Sequence, residues 1–228
     1  MSVASYIAEH SPSIECEKDN VKKEYTANIR GVEYNGRLDD VFYLNSIDEI
    51  CANYICDDGT SFDVDLSKDK VVAVYFNIEK NESKDKLSED EKEKIATEYA
   101  KDFVNIEEYK MNIDTNGISC YIFTRYVDEF MTCEEVRVFV KDTGEISAVW
   151  IMELGEFENV NLGDADGKKS EEALSDKIKE MYGDKSGYEI NENFLIKTRD
   201  DKIAMFYSVD LTKEDGICER EFFKVIWE

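Results

Sequence analysis

The chain has 228 residues, of which 42% are hydrophobic and 12% aromatic, and this composition is sufficient for a folded core. Its formal net charge is −25, with 53 acidic residues against 28 lysines and arginines. Because proteins bind DNA, RNA and anionic membranes mainly through positive charge, the composition argues against all three as partners.

The N-terminal third of the chain predicts mainly strands. Residues 1–20 are weakly patterned, whereas apolar and polar residues alternate over residues 25–34, which is typical of a strand. The dipeptide Asn35-Gly36 follows, and both residue types tolerate the positive φ of a type I′ turn. We therefore expect a hairpin that turns at Asn35-Gly36 and returns over residues 38–44.

Residues 46–54 are open to two interpretations. Ser46 could cap a short helix, but a strand fits nearly as well. A turn is expected at residues 57–59, with further strands at residues 61–66 and 70–78. The second of these is apolar at nearly every position, which indicates a central place in a sheet.

A strongly patterned helix-plus-sheet segment occupies residues 87–153. Ser88 and Glu91 have the spacing of a capping box, so we expect a helix from Ser88 to about residue 104. Its apolar stripe consists of Ile95, Ala96, Tyr99, Ala100, Phe103 and Val104. The strands and loops expected after it are an edge strand 109–113, a strand 118–126, a loop 129–132, strands 134–140 and 146–152, and a loop 155–167.

A second copy of this segment is expected from residue 170 onward. Ser170 is the expected cap of a helix whose apolar side carries Ala173, Leu174, Ile178, Met181 and Tyr182. An offset of 85 residues then aligns Ile118 with Ile203, Tyr121 with Phe206, Tyr126 with Leu211, Cys133-Glu134 with Cys218-Glu219, Val138 with Phe223 and Val140 with Val225. Residues 70–75 match residues 145–150 in a shorter echo. The alternative to duplication is the general likeness of strands rich in β formers.

The best-patterned unit resembles the PepSY domain. Residues 87–91 (Leu-Ser-Glu-Asp-Glu) open a helix that carries Ile95 and Ala96, and residues 138–146 (Val-Phe-Val-Lys-Asp-Thr-Gly-Glu-Ile) are similar to the hairpin of that family. This chain departs from the family pattern at Lys141. Tandem, degenerate units of this kind resemble the YcdB/YcdC-type repeat proteins of Gram-positive bacteria.

The resemblance covers residues 87–153 well, residues 170–228 as a partial unit and residues 60–78 as a fragment. It implies an α+β fold of antiparallel β-sheets, each with a helix packed on one face, in PepSY-like repeats of which some are incomplete. This agrees with the pattern, since a helix laid across a four-stranded sheet covers its apolar face. The resemblance further implies an extracytoplasmic, non-catalytic module that restrains peptidases or regulates events at the cell surface.

The sequence predicts no catalytic, cofactor-binding or metal-binding residues. His10 is the single histidine, which argues against Ser-His-Asp and Cys-His sites. Residues 164–167 (Asp-Ala-Asp-Gly) are similar to part of a calcium loop, but its first and last ligand positions would then be Leu162 and Ala173, which cannot bind calcium through their side chains. No glycine-rich loop that could hold a phosphate is present in the sequence.

The six cysteines leave two alternatives. They could be free, structural residues, or they could form one or more disulfides in an oxidising compartment. Cys51 and Cys56 are the only close pair, and their spacing is not that of a structural zinc site. Six cysteines allow 15 pairings, so the sequence does not choose among them.

These observations predict two lobes, an N-terminal β-rich lobe over residues 1–80 and a PepSY-like lobe over residues 84–228, joined near the polar residues 79–86. The expected function is a non-enzymatic, extracytoplasmic binding or regulatory module with a protein or peptide partner, and an edge strand near residues 221–227 could pair with an added strand. The alternatives are a hydrolase that uses an acidic pair and a structural cell-surface spacer. No apolar run approaches the roughly 20 residues of a membrane-spanning helix, so any leader or anchor would lie outside this chain.

Overall fold

The computed structural model describes residues 20–44, 49–78, 85–115, 117–163, 166–183, 187–198, 202–212, 216 and 218–227. Its helices are α1 (Glu89–Ala100) and α2 (Gly167–Tyr182), with a turn of 3-10 helix at Ile106–Glu108. Its strands are β1 (Glu24–Ile29), β2 (Val32–Leu44), β3 (Glu49–Cys56), β4 (Ser61–Asp65), β5 (Lys70–Tyr75), β6 (Tyr109–Asp114), β7 (Ser119–Val127), β8 (Phe130–Val140), β9 (Ile146–Met152), β10 (Gly187–Lys197), β11 (Ile203–Thr212) and β12 (Cys218–Ile226). The predicted α+β class is confirmed, since antiparallel strand pairs dominate and each helix packs its apolar side on strands.

The chain divides into two compact units. Among the described residues, the larger unit holds residues 20–125 and 134–155, and the smaller unit holds residues 126–133 and 156–227. These units differ from the two lobes expected on either side of residues 79–86. The reason is that β5 and β9 pair directly, which joins the strands before that polar segment to the strands after it.

The larger unit is built on strands in the order β1-β2-β3-β4-β5-β9-β8-β7-β6. Opposite residues where β5 meets β9 are Ala73 and Trp150, Val74 and Val149, and Tyr75 and Ala148. The echo expected from the sequence aligns Ala73, Val74 and Tyr75 of β5 with Ala148, Val149 and Trp150 of β9. Exchanging each residue for its equivalent turns the pair Ala73–Trp150 into the pair Ala148–Tyr75 and leaves Val74–Val149 unchanged. Two equivalent strands therefore meet about a local two-fold axis at Val74.

The first hairpin turns earlier than the sequence predicts. β2 runs unbroken through Asn35 and Gly36. The turn lies at Arg30 and Gly31, whose φ angles are +55° and +78°. Gly36 is instead a point of close packing, where an added Cβ would lie 2.8 Å from the Cβ of Tyr54. The predicted turn at Asn35-Gly36 is therefore wrong, because glycine is required there for packing rather than for a positive φ.

The predictions for residues 46–54 and 129–132 have opposite outcomes. Over residues 49–54, the strand interpretation of segment 46–54 is correct, because these residues belong to β3; the residues before them lie outside the described ranges. The loop expected at residues 129–132 is wrong, because β8 already begins at Phe130. The turn before it is tight and uses Asp128, whose φ is +54°.

Helix α1 begins as the sequence predicts. Its capping box is confirmed: the Ser88 N–H donates to Glu91 Oε2 at 2.9 Å, and the Glu91 N–H donates to Ser88 Oγ at 3.4 Å. The helix ends at Ala100 rather than near residue 104. Its buried side belongs to a core of Ala96, Tyr99, Ala100, Tyr121, Phe123, Val136, Val138, Val140 and Val149.

Helix α2 begins earlier than the sequence predicts. Asp166 is its N-cap and accepts a hydrogen bond from the Lys168 N–H at 2.9 Å, whereas Ser170 is buried inside the helix. The expected cap at Ser170 is wrong because the Asp166 carboxylate already serves the open end of the helix. The helix packs on the sheet β10-β11-β12, in a core of Phe157, Leu174, Ile178, Leu195, Met205, Tyr207, Val209, Leu211 and Phe223.

Candidate interaction surface

The two helices bury equivalent positions. Residues four apart share one face of a helix, and each helix buries three such residues. These are Lys92, Ala96 and Ala100 in α1, and Ser170, Leu174 and Ile178 in α2. In both helices the first of the three is polar and the next two are apolar. This agreement supports the duplication expected from the sequence.

A tyrosine from the second strand after each helix reaches the first turns of that helix. Tyr121 on β7 donates to the backbone oxygen of Glu89 at 3.2 Å and to its carboxylate at 3.1 Å. Tyr207 on β11 donates to Ser170 Oγ at 2.8 Å. Tyr121 thus corresponds to Tyr207, one residue beyond the predicted Phe206. That alignment is wrong because a shift of one residue moves a strand side chain to the opposite face of the sheet.

The third strands after the two helices, β8 and β12, are related by the predicted offset of 85 residues. Val138 and Phe223 are related by it, and both lie in the cores under their helices. The same offset aligns Arg137 with Phe222 on the face away from the helix. The two units therefore follow one plan, with a difference of one residue between the second and third strands.

The hairpin that carries the PepSY resemblance holds the start of α1. The backbone oxygen of Asp142 accepts a hydrogen bond from the Leu87 N–H at 2.7 Å, and its carboxylate accepts one from Lys86 Nζ at 2.6 Å. Lys92, buried on α1, reaches the same carboxylate at 3.4 Å. The two lysines lower the pKa of the Asp142 carboxyl, Lys86 more strongly. Gly144 has a φ of +88°, and an added Cβ would lie 2.6 Å from Leu87 Cδ1. These residues dock the helix.

Glu134 is a buried acid with structural contacts, and only 1% of it is exposed. The Tyr109 hydroxyl donates to Glu134 Oε1 at 2.5 Å, and Arg125 Nη1 lies 3.5 Å from the same oxygen. Arg125 also pairs with Glu108 at 2.7 Å. Burial, together with the hydrogen bond to Glu134, raises the pKa of Tyr109. The carboxylate therefore ties β6, β7 and β8 together.

Two acids lie on the same face of β4. Asp63 accepts hydrogen bonds from Asn53 at 2.6 Å and from Tyr75 at 3.3 Å, and burial raises the pKa of its carboxyl. Asp65 is 1% exposed, and its Oδ1 accepts hydrogen bonds from the Ser67 N–H and hydroxyl, both at 2.8 Å. Its Oδ2 has no hydrogen-bond partner among the described residues. These acids are the kind of pair that the hydrolase alternative requires. Their contacts serve the strands β3 to β5 and the turn after β4.

β12 is an open edge of the smaller unit. Among the described strands it pairs with β11 alone, whereas its equivalent β8 pairs with β7, with β9 and, at Thr132, with β10. The Trp227 N–H donates to the Ile203 oxygen at 3.0 Å, which fixes the alternation of hydrogen bonds along the regular β11–β12 pair. Odd-numbered residues bond to β11. Phe222 and Lys224 therefore point their N–H and C=O groups toward the open edge.

An aromatic stack lies beside this edge, on the sheet face opposite α2. The ring centroids of Phe194 and Phe206 are 4.9 Å apart, and those of Phe206 and Phe222 are 5.7 Å apart, with nearly parallel rings. Phe222 is 37% exposed and Ile226 is 46% exposed. We call these four residues and Lys224 the β12 surface. An exposed apolar patch that is continuous with an open strand edge is a candidate interaction site.

Sequence reasoning found the open edge but missed the aromatic stack. The predicted alignment made Phe206 the counterpart of Tyr121, which the structure places in the core under α1. The signal that identifies the core face is the alternation along β11 of Met205, Tyr207, Val209 and Leu211. Phe206 lies between these positions and must therefore face the other side.

Within the described ranges, no group of three or more His, Cys, Asp or Glu side chains could hold a metal ion. Asp166, from the segment similar to a calcium loop, caps α2, and residues 164–165 and His10 lie outside the described ranges. In the same part of the chain, no helix is long and apolar enough to cross a membrane.

Among the described residues, Cys51, Cys56, Cys120 and Cys218 are free thiols. Cys16 lies outside the described residues. Burial raises the pKa of Cys51 to about 12 and that of Cys120 to about 11. Both are therefore protonated and unreactive near neutral pH, as structural cysteines are.

Comparisons with known proteins assign no family to this chain. No protein-family model and no curated protein matches the sequence. Among solved structures, the chain is similar to the C-terminal domain of Bacillus megaterium YpeB, with 12% sequence identity over 94% of this chain and 98% of that chain. The TM-score is 0.38, which is too low to establish a shared fold. The PepSY resemblance therefore stays a prediction.

Proposed function

We propose that the protein is a non-enzymatic binding or regulatory module that acts outside the cytoplasm and engages a protein or peptide through the β12 surface. The observation that carries this proposal is the open edge of β12 beside the stack of Phe194, Phe206 and Phe222. Exposed strand edges are commonly blunted by charge or proline or are covered, because they pair readily with other chains. β12 carries the charged residues Arg220 and Lys224 at this edge, but Phe222 between them leaves an exposed apolar position that favours binding.

The buried polar groups of both units support a role without catalysis. Glu134 is held by Tyr109 and Arg125, and Ser170 is held by Tyr207. Each of these contacts joins secondary-structure elements within one unit. Such groups are occupied by contacts that stabilise the fold, whereas a catalytic group must face a substrate.

The extracytoplasmic location and the regulation of peptidases come from the PepSY resemblance of residues 87–153. The location is tested directly by adding protease to intact host cells that carry the protein with an epitope tag. Digestion of the tagged protein in intact cells is the expected result. Full protection until the membrane is broken would place the protein in the cytoplasm and contradict this part of the proposal.

Binding is tested by probing an array of extended peptides with the purified protein and with Phe222→Ser. We expect the wild-type protein to bind a subset of peptides and Phe222→Ser to lose them. Ile113→Ser is the matched control, since Ile113 is an exposed residue, 41% accessible, on the edge strand β6 of the larger unit. Binding by neither protein would favour the cell-surface spacer, and equal binding by wild type and Phe222→Ser would contradict the β12 surface.

A further inference from the structure

We infer that the β12 edge takes an extended segment of a partner protein, antiparallel to β12, with an aromatic residue opposite Phe222 and an acidic residue opposite Lys224. This inference rests on the proposed function, because it names the chemistry of the partner. The occupant follows from the larger unit, in which β9 covers the equivalent edge of β8.

β9 specifies the aromatic position. Trp150 lies directly opposite Arg137 on β8. Its ring packs against Phe139 with 5.0 Å between centroids, and the guanidinium of Arg137 lies 5.7 Å from the ring. The offset of 85 residues aligns Arg137 with Phe222. An aromatic side chain opposite Phe222 would therefore occupy the place of Trp150 and extend the phenylalanine stack, in a cross-strand pairing that is favourable in sheets.

The charges on the outer face of β12 specify the acidic position. The outward residues are Glu135, Arg137 and Phe139 in β8, and Arg220, Phe222 and Lys224 in β12. Arg220 already pairs with Asp210 through two contacts of 3.0 and 3.3 Å. Lys224 is exposed and has no ion pair among the described residues. Opposite charges across an antiparallel pair stabilise it and like charges destabilise it, so the partner residue is acidic.

The backbone of β12 is set for the same pairing that β8 makes. The Lys141 N–H donates to the Glu145 oxygen at 2.9 Å, and by alternation Arg137 and Phe139 also direct their N–H groups toward β9. Phe222 and Lys224 are their equivalents. Because the strands are antiparallel, the partner carries an acidic, an apolar and an aromatic residue in its N-to-C direction, with the apolar residue facing the core.

The probe is a capped peptide, Thr-Glu-Val-Trp-Val-Thr, compared with Thr-Lys-Val-Trp-Val-Thr by amide chemical-shift titration of the full chain. We expect the glutamate peptide to bind about threefold to tenfold more tightly, and Lys224→Glu to reverse the preference. Lys110→Glu, on the edge strand β6, is the matched control and keeps the wild-type preference. An unchanged preference in Lys224→Glu would overturn the acidic position.

Strand pairing is tested by N-methylating the glutamate and tryptophan of the same peptide. These residues would donate their N–H groups to β12, so methylation removes the hydrogen bonds and keeps the side chains. Loss of binding is expected, and equal binding would overturn the strand-pairing inference. If the hexapeptide does not bind although Phe222→Ser abolishes binding on the array, the inferred partner chemistry is wrong and the proposed function stands.

Discussion

The two units bury their helices in the same way, but they differ in how they cover the third strand after the helix, which is β8 in the larger unit and β12 in the smaller unit. In the larger unit, β8 lies between β7 and β9, and Trp150 of β9 covers the outward residues of β8. In the smaller unit, β12 pairs with β11 alone among the described strands, and its outward residues are exposed. The comparison distinguishes the residues that stabilise the fold of each unit from residues that have no such role. The latter form the β12 surface.

Leu174→Ala should have the largest effect, because it should destabilise the smaller unit alone. Leu174 is fully buried, and its removal leaves a cavity in the smaller unit that should cost about 2–5 kcal/mol of unfolding free energy. Trp227 packs against this core, whereas Trp150 lies in the larger unit, so single-tryptophan variants report the two units separately in urea. The transition seen by Trp227 should shift to lower urea. Met181→Ala, at an exposed position of α2, is the control, and an unshifted Trp227 transition would contradict the assigned core.

Tyr207→Phe should have the next largest effect. It leaves the Ser170 hydroxyl buried without its partner, which costs about 1–3 kcal/mol. Adding Ser170→Ala should recover part of the loss, because both polar groups are then absent. Tyr121→Phe is the equivalent change in the larger unit and should cost less, since its partner Glu89 is exposed to water. Equal losses in the two units, measured by chemical unfolding, would contradict the role assigned to burial.

Gly144→Ala should sharpen the explanation of how the hairpin docks α1. The substitution combines an unfavourable positive φ with a contact of 2.6 Å to Leu87, and should cost more than about 1 kcal/mol. Gly155→Ala is the matched control, because Gly155 has a similar φ of +86° with no atom within 4 Å of an added Cβ. The excess loss in Gly144→Ala, read from thermal unfolding, measures the close packing. Equal losses of stability in the two variants would mean that the contact with Leu87 does not contribute.

Asp63→Asn should produce the smallest effect and one that depends on pH. Burial raises the pKa of Asp63 above its unfolded value of about 3.9, so the folded chain holds this proton to higher pH than the unfolded chain. Ionisation of Asp63 therefore lowers the free energy of unfolding as pH rises through that interval. The stability of Asp63→Asn relative to wild type should rise from about pH 4 upward.

The control for this pH series is Asp142→Asn. Lys86 and Lys92 lower the pKa of the Asp142 carboxyl, so the wild-type chain gains stability from its ionisation as pH rises. The relative stability of Asp142→Asn should thus fall as pH rises toward about 4, opposite in sign to the change for Asp63→Asn. The same sign for both variants would contradict the assigned causes.

The sequence predicts the parts of this fold that local rules determine. The capping box of Ser88 and Glu91 and the strand Ile146–Met152 are found as predicted, because spacing and alternation act within a few residues. The failures depend on tertiary contacts. Gly36 is a turn glycine by local preference, but the approach of Tyr54 places it in a strand. The join of β5 to β9 is between strands distant in sequence, so the polar residues 79–86 resemble a boundary between lobes when only the sequence is considered.

The candidate site was only half predictable for the same reason. The edge at β12 follows from counting strands in the second unit. The stack of Phe194, Phe206 and Phe222 depends on the face to which each strand residue points, and an offset wrong by one residue reverses that face. Hydrogen bonds from Tyr121 and Tyr207 to their helices show the correct offset, and these contacts join residues that are distant in sequence.

The most direct test of the open β12 edge is amide hydrogen exchange of the free protein, resolved by residue. We predict rapid exchange at Phe222 and Lys224, whose N–H groups point to the open edge, and slow exchange at Phe223, whose N–H bonds to β11. Their equivalents Arg137 and Phe139 should exchange slowly, because β9 covers them. Protection of Phe222 and Lys224 equal to that of Phe223 would mean that the edge of β12 is already occupied, and would contradict an open binding edge.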